Sequence, residues 1–176
     1  LPVNLGLAGA FQTGMKYAWR HGYDAAIQFD GDGQHNAEYI SDLIKPIEEG
    51  RADMVIGSRF IDKEGFQTSS MRRVGINMLG FVLRICGGGK ITDATSGFRA
   101  TSREVTKFFS VNYAQDYPEP ESLVNLNKAR YKIMEVPVSM NERKEGVSSI
   151  HAWKSIIYMV KVSLAILIDS LNRKKR

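Results

Sequence analysis

The sequence predicts an α/β fold with a mostly parallel central sheet flanked by helices, and three observations carry that expectation. Ala25-Ala26-Ile27-Gln28-Phe29 is a short, largely apolar run of the kind that forms a buried strand. Asp53-Met54-Val55-Ile56-Gly57 is a second such run. Between them, the stretch from Ala37 to Glu49 sets Ile40, Leu43, Ile44 and Ile47 at the spacing of one helix face. Strand, helix and strand within about 33 residues make a βαβ unit, which favours parallel pairing.

The remaining elements follow in order. Asn4 is placed to cap a helix through Ala8, Phe11, Met15, Ala18 and Trp19, which Gly22 ends. Pro46 weakens the last turn of the second helix, and Gly50 stops it. Arg72 to Cys86 reads as a helix broken by Gly87-Gly88-Gly89. Phe98-Arg99-Ala100 reads as a short strand, Glu119 to Arg130 as a helix, and Ile133 to Val136 as another strand. Asn141 to Ser149 is polar and reads as a mobile loop, and Trp153 to Leu171 is a last, strongly apolar helix.

Composition narrows the function classes. A length of 176 residues with 43% hydrophobic and 24% charged residues suits one globular domain with a real core. The single cysteine, Cys86, excludes an internal disulfide and points to a reducing compartment. The net charge is +5, but the final Arg173-Lys174-Lys175-Arg176 supplies most of it. A near-neutral body whose aromatics are not interleaved with basic residues argues against a nucleic-acid partner. The basic tail suits either an anionic membrane surface or a plain solvated terminus. Leu1-Pro2-Val3-Asn4 has neither the charged start nor the apolar run of a secretory signal. The missing initiator methionine leads us to expect residues upstream.

The chemistry concentrates in Asp30-Gly31-Asp32-Gly33-Gln34-His35. Two carboxylates two positions apart, leaving a strand into a glycine-rich turn, can address one ligand, and the glycines let the backbone fold tightly. Such hard oxygen donors suit Mg²⁺ or Mn²⁺, which take few protein ligands and complete their shells with phosphate and water. Gln34 can add a carbonyl oxygen, and His35 is placed either at the ion or behind its ligands. A plain surface turn is the alternative, because Asp-Gly is a common turn dipeptide. A calcium loop of the EF-hand type fails, since its sixth position is His35 and its twelfth is Ser41. The turn and Gly57-Ser58-Arg59 both fall at the carboxyl ends of expected strands, where ligands bind in α/β sheets.

Three segments in sequence carry a resemblance: Phe29 to His35, then Val55-Ile56-Gly57-Ser58-Arg59-Phe60, then Asp93-Ala94-Thr95-Ser96-Gly97-Phe98-Arg99-Ala100. Their order and spacing resemble family two glycosyltransferases, in the branch that acts on dolichyl and other polyprenyl phosphates. The resemblance implies a GT-A fold, inversion at the anomeric carbon, a nucleotide-sugar donor linked to UDP or GDP, and a divalent cation on the donor diphosphate. It implies that Asp30, Asp32 and Gln34 bind Mg²⁺ or Mn²⁺, with Asp30 also at the donor. It makes Arg59 a ligand for acidic donor or acceptor groups, with a structural ion pair as the alternative. It implies that Asp93, Ser96 and Gly97 shape the sugar and acceptor pocket, Asp93 being counted with the catalytic residues, and that Arg99 pairs with a carboxylate to hold the turn. Glu119 and Glu121 are candidates for the base that deprotonates a sugar hydroxyl, with helix N-terminal acids favoured by the dipole as the alternative. Asn141 to Ser149 resembles a loop that closes over the donor, in which Arg143 binds diphosphate and Ser148 adds a hydrogen bond.

The resemblance also implies that residues 1–150 are a catalytic domain lacking its N-terminal part, hence its first strands and its nucleobase grip. Residues 151–176 then form an amphipathic helix with a basic tail. The apolar run from Ile156 to Ile168 is interrupted by Lys161 and too short for a confident transmembrane span. With the basic tail, it suits a helix lying in the interface of an anionic leaflet at the cytoplasmic face. Arg72 to Ile85 repeats that pattern, placing Arg72 or Arg73 to meet a lipid phosphate. Core packing or a homo-oligomer interface is the alternative for both helices. The acceptor is therefore expected to be a polyprenyl phosphate, with a saccharide hydroxyl as the alternative and a non-catalytic membrane scaffold as the competing class.

Overall fold

The computed structural model of the chain describes residues 2–62, 64, 70–87, 89–114, 116–141 and 152–172. Six helices are described: α1 (Gly6–Arg20), α2 (Ile40–Glu48, entered through a 3₁₀ turn at Ala37–Tyr39), α3 (Ser70–Ile85), α4 (Arg103–Val111), α5 (Pro118–Lys128) and α6 (Ala152–Asn172). Four strands accompany them: β1 (Ala25–Gln28), β2 (Met54–Ser58), β3 (Arg99–Ser102) and β4 (Ile133–Pro137). Within α3 and α6 the described side chains are those of 73–85 and 157–168.

The sheet order is β1-β3-β2-β4, and here the expectation of a mostly parallel sheet is corrected. β3 lies between β1 and β2 and runs antiparallel to both, while β2 and β4 pair in parallel. The βαβ unit exists, but its two strands flank β3 instead of touching. The sheet is therefore mixed, and its helices still cover both faces, as an α/β layer requires.

Alternation along the strands builds two cores. Val55 and Ala100 face α2, where Leu43, Phe98 and Val138 complete the smaller cluster. Met54 and Ile56 face the larger one, with Met15 of α1, Val105 and Phe109 of α4, and Leu123 and Leu126 of α5. The same cluster takes the inner faces of α3 (Ile76, Leu79, Leu83) and α6 (Met159, Val162, Ile166). Gly75 lets these two helices close up, since a Cβ there would stand 3.0 Å from Met159 Cγ. Their outer faces are apolar and exposed: Val74, Phe81 and Ile85 on α3, and Ile157, Leu164 and Ile168 on α6. Neither helix is wholly core. Among the described residues no helix is long and apolar enough to cross a membrane.

The sequence reading omitted α4. Its cap is Ser102, whose hydroxyl accepts from the Val105 amide. Asn4 acts one residue away from its expected place: Leu5 is the cap position, and Asn4 Oδ1 accepts from the Gly6 amide at 2.8 Å.

Gly57 makes a tight contact with the smaller core. A Cβ there would come within 3.0 Å of Val138 and 3.2 Å of Phe98, both buried. Gly57→Ala is expected to lower stability by about 1–3 kcal/mol through overpacking, measurable as a lower denaturant midpoint at unchanged slope.

Candidate active site

The acidic turn begins where β1 ends. Gly33 adopts φ +78°, which only glycine takes without strain. The Gln34 amide donates to Asp32 Oδ1 at 3.0 Å, closing the turn. From beyond β4, the Asn141 amide donates to the Gln34 carbonyl at 3.0 Å. The first residue of the expected closing loop thus braces the turn, while the rest of that loop, Arg143 and Ser148 included, lies outside the described residues.

His35 supports the turn from beneath. It is buried, stacks on Phe98 with ring centroids 4.6 Å apart, and accepts the Asp30 amide on Nδ1 at 3.0 Å. That contact leaves the proton on Nε2, 3.9 Å from Asp30 Oδ2. Burial lowers the imidazole pKa, against the opposing pull of Asp30 and Asp32, so the ring is held neutral. Asp30 itself is half exposed, and its Oδ2 lies 3.3 Å from where a Gly97 Cβ would stand.

The donors suit a small hard cation. Asp30 and Asp32 offer only oxygen, and Asp32 Oδ1 already serves the turn. Among the described residues no three His, Cys, Asp or Glu side chains gather as a metal cage. A pair of carboxylates with Gln34 nearby matches Mg²⁺ or Mn²⁺ completed by phosphate and water.

Arg59 and Asp93 form a buried fork-on-fork pair. Arg59 Nε donates to Asp93 Oδ2 at 2.7 Å, and Nη2 donates to Oδ1 at 2.8 Å. The Arg59 amide also points at Oδ2, at 3.3 Å, and Nη2 reaches Thr95 Oγ1 at 3.2 Å. Asp93 is wholly buried and Arg59 nearly so.

Glu135 of β4 fixes the segment from the other side, and sequence reasoning missed it. Its carboxylate accepts the amides of Thr92 and Asp93, each at 2.8 Å, and the Thr92 hydroxyl at 3.0 Å. Thr92 in turn contacts the Ser58 hydroxyl at 2.7 Å. The only local signal was a charged residue inside the run Ile133 to Val136.

Arg99 is where the expectation of a carboxylate partner is corrected. Its donors go to backbone carbonyls and a hydroxyl: Ser96 O at 2.7 Å, Ala94 O and Glu119 O at 2.9 Å, and Ser122 Oγ at 3.0 Å. Burial pulls its pKa down, while Glu119 acts in the opposite direction. Arg99 therefore ties the Ser96-Gly97 turn to the first turn of α5, where Glu119 and Glu121 stand half-buried behind Pro118. Tyr158 of α6 packs edge-on to Tyr117. Burial raises its phenol to about 12, helped by Glu119, Tyr117 and Glu121.

A cationic cleft of about 280 Å³ opens beside this network, lined by Arg73, Asn77, Arg84, Lys90 and Thr92 over an apolar floor. The Arg73 guanidinium lies 3.5 Å from the Phe60 ring centre, and that of Arg59 lies 5.2 Å from the same ring. Arg73 Nη1 is buried and has no hydrogen-bond partner among the described residues. The Arg72 side chain lies outside the described residues.

The structure thus joins Asp30 to Gly97, Arg59 to Asp93, and Ser96 through Arg99 to Glu119. The pattern of the family described as glycosyl transferase family 2 matches residues 1–109. Among similar proteins, a UDP-N-acetylglucosamine–dolichyl-phosphate N-acetylglucosaminyltransferase of Methanococcus voltae is 36% identical over 77% of this chain and 55% of its own length. Polyprenol monophosphomannose synthase of Mycolicibacterium smegmatis is 30% identical over 81% of this chain and 55% of its own. Undecaprenyl-phosphate mannosyltransferase of Micrococcus luteus is 28% identical over 81% and 60%. The chain belongs to glycosyl transferase family 2, and it spans little more than half the length of these relatives.

Proposed function

We propose that the protein transfers a hexose or N-acetylhexosamine from a nucleotide diphosphate sugar to a polyprenyl phosphate, with inversion, at the cytoplasmic face of a membrane. The observation that carries this reading is the cationic cleft lined by Arg73, Arg84 and Lys90, with a buried Arg73 nitrogen that has no hydrogen-bond partner among the described residues. A buried guanidinium donor without an acceptor is costly unless a ligand supplies one, and phosphate matches that fork. The names of the relatives support the same acceptor class, two of them naming mannosyl transfer and one N-acetylglucosaminyl transfer.

Mg²⁺ or Mn²⁺ held by Asp30, Asp32 and Gln34 would neutralise charge on the departing nucleoside diphosphate. The chain's own groups do the positioning. Asp93 holds Arg59 beside Phe60, Arg99 holds the Ser96-Gly97 turn against α5, and Arg73 receives the acceptor phosphate. Because a lipid phosphate is already ionised, it needs no base. The exposed apolar faces of α3 and α6, with Arg84 and Lys161 among them, suit a helix pair resting in the lipid interface. Transfer to a saccharide hydroxyl is the second reading, favoured by the two half-buried acids at the start of α5.

The test is the intact protein with Mg²⁺ or Mn²⁺, a panel of UDP- and GDP-sugars, and undecaprenyl phosphate. Lipid-linked sugar is the expected product, at near-normal rate in Glu119→Gln and Glu121→Gln. Arg73→Ala is expected to raise KM for the lipid phosphate about tenfold, the loss of one charged hydrogen bond. Absence of lipid product with every donor would sink the reading. Absence even of metal-dependent nucleotide-sugar binding would leave a scaffold.

A further inference from the structure

Gln28 is the one polar side chain in the strand β1, and nothing in the fold explains it. Its partner across the sheet is Arg99, so its side chain rises on the Arg99 face of the sheet. The carboxamide nitrogen lies 3.1 Å from where a Gly97 Cβ would stand, and Asp30 Oδ2 lies 3.3 Å from the same point. Gln28 and the acidic turn therefore converge on Gly97, whose missing side chain leaves room for both. The other end of the carboxamide, Oε1, is buried with no hydrogen-bond partner among the described residues.

A buried acceptor without a donor opposes folding. Methionine or leucine would fill similar space in this largely apolar strand without that penalty. The amide becomes favourable only when something else brings a donor to Oε1. Its place beside Asp30 puts it next to the donor diphosphate, from which the sugar hangs. A carboxamide presents one acceptor and two donors side by side, a match for neighbouring hydroxyls on a pyranose ring.

We infer that Gln28 is a specificity residue that reads a hydroxyl of the donor's sugar, Oε1 accepting from it while Nε2 donates to its neighbour. The inference rests on the glycosyltransferase reading above and deepens it. Unlike Asp30 and Asp32, which address the diphosphate common to every donor, Gln28 would discriminate between sugars. A site built to hydrogen-bond a hydroxyl strongly rejects the analogue lacking it, because its own polar group is then left unpaired.

The experiment uses the intact protein, its preferred nucleotide sugar, and the deoxy analogues of that sugar. Gln28→Met, close in volume and unable to hydrogen-bond, is expected to lower kcat/KM for the preferred donor by about 10–100-fold. Inhibition by the free nucleoside diphosphate should stay within about twofold, since the loss is confined to the sugar. One deoxy donor should be equally poor with wild type and variant, identifying the hydroxyl that is read. Unchanged kcat/KM in Gln28→Met overturns the inference while leaving the transferase reading intact. So does an equal loss of sugar and nucleoside diphosphate binding with a lower Tm, which would make the amide structural. If Gln28→Met fails to fold, the wild type decides: equal kcat/KM for every deoxy donor overturns the inference. No transfer by wild type from any nucleotide sugar overturns both.

Discussion

Asp32→Asn is expected to fold like the wild type and to lose at least about 100-fold in metal-dependent transfer. The reasoning separates the two jobs of one side chain. Asp32 Oδ1 accepts the Gln34 amide and closes the turn, and an asparagine carbonyl keeps that contact. What asparagine removes is the negative charge that a divalent cation requires. Asp32→Ala removes both, adding a stability loss of about 1 kcal/mol for the broken turn contact. Initial rates titrated with Mn²⁺, beside thermal melts, distinguish the two losses. Wild-type metal dependence in Asp32→Asn would mean that the cation, if required, is held elsewhere.

The second large effect is structural. Asp93→Ala is expected to destabilise the fold by about 3–5 kcal/mol, because it leaves the Arg59 guanidinium buried without its counter-charge. Out of a typical total of about 5–15 kcal/mol, that loss brings the protein near its folding threshold. Replacing the pair together, Arg59→Met with Asp93→Leu, is expected to recover most of that loss, as apolar replacements of buried ion pairs often do. Transfer should not recover with it, since the Arg59 guanidinium is gone and Arg73 alone remains beside Phe60. Chemical denaturation of the single and double variants, with activity measured on each, tests the split. Recovery of activity along with stability would reduce the pair to a structural clasp.

The sequence made the acidic turn legible because its chemistry is local. Asp30, Asp32 and Gly33 sit within four residues, and glycine permissiveness and carboxylate charge are properties of those residues alone. Strands β1, β2 and β4 and five of the helices were likewise readable from apolar spacing. The direction of β3 was not. Arg99 to Ser102 pairs with strands some 40 and 70 residues earlier, and no local pattern encodes which way a strand will run. Helix α4 went unread because Val105, Thr106, Phe108 and Phe109 are middling helix formers, so its stability comes from the Ser102 cap and from packing on α1. Glu135 and the carbonyl partners of Arg99 escaped for a related reason. A strand glutamate looks like an ordinary surface residue until Thr92 and Asp93 are brought to it across the sheet.

The central place of β3 bears on how the protein comes into being. During synthesis β1, α2 and β2 emerge before β3, and β1 and β2 share no ladder until residues 99–102 slide between them. β1 and β2 then wait some 40 residues of elongation after β2 for the strand that joins them. Joining β1 to β2 is therefore a late, non-local event that closes long loops before it is rewarded, the hallmark of slow folding. Through that interval the edges of β1 and β2 that β3 will fill are open to pairing with other chains. The window closes only when the strand that carries Arg99 arrives.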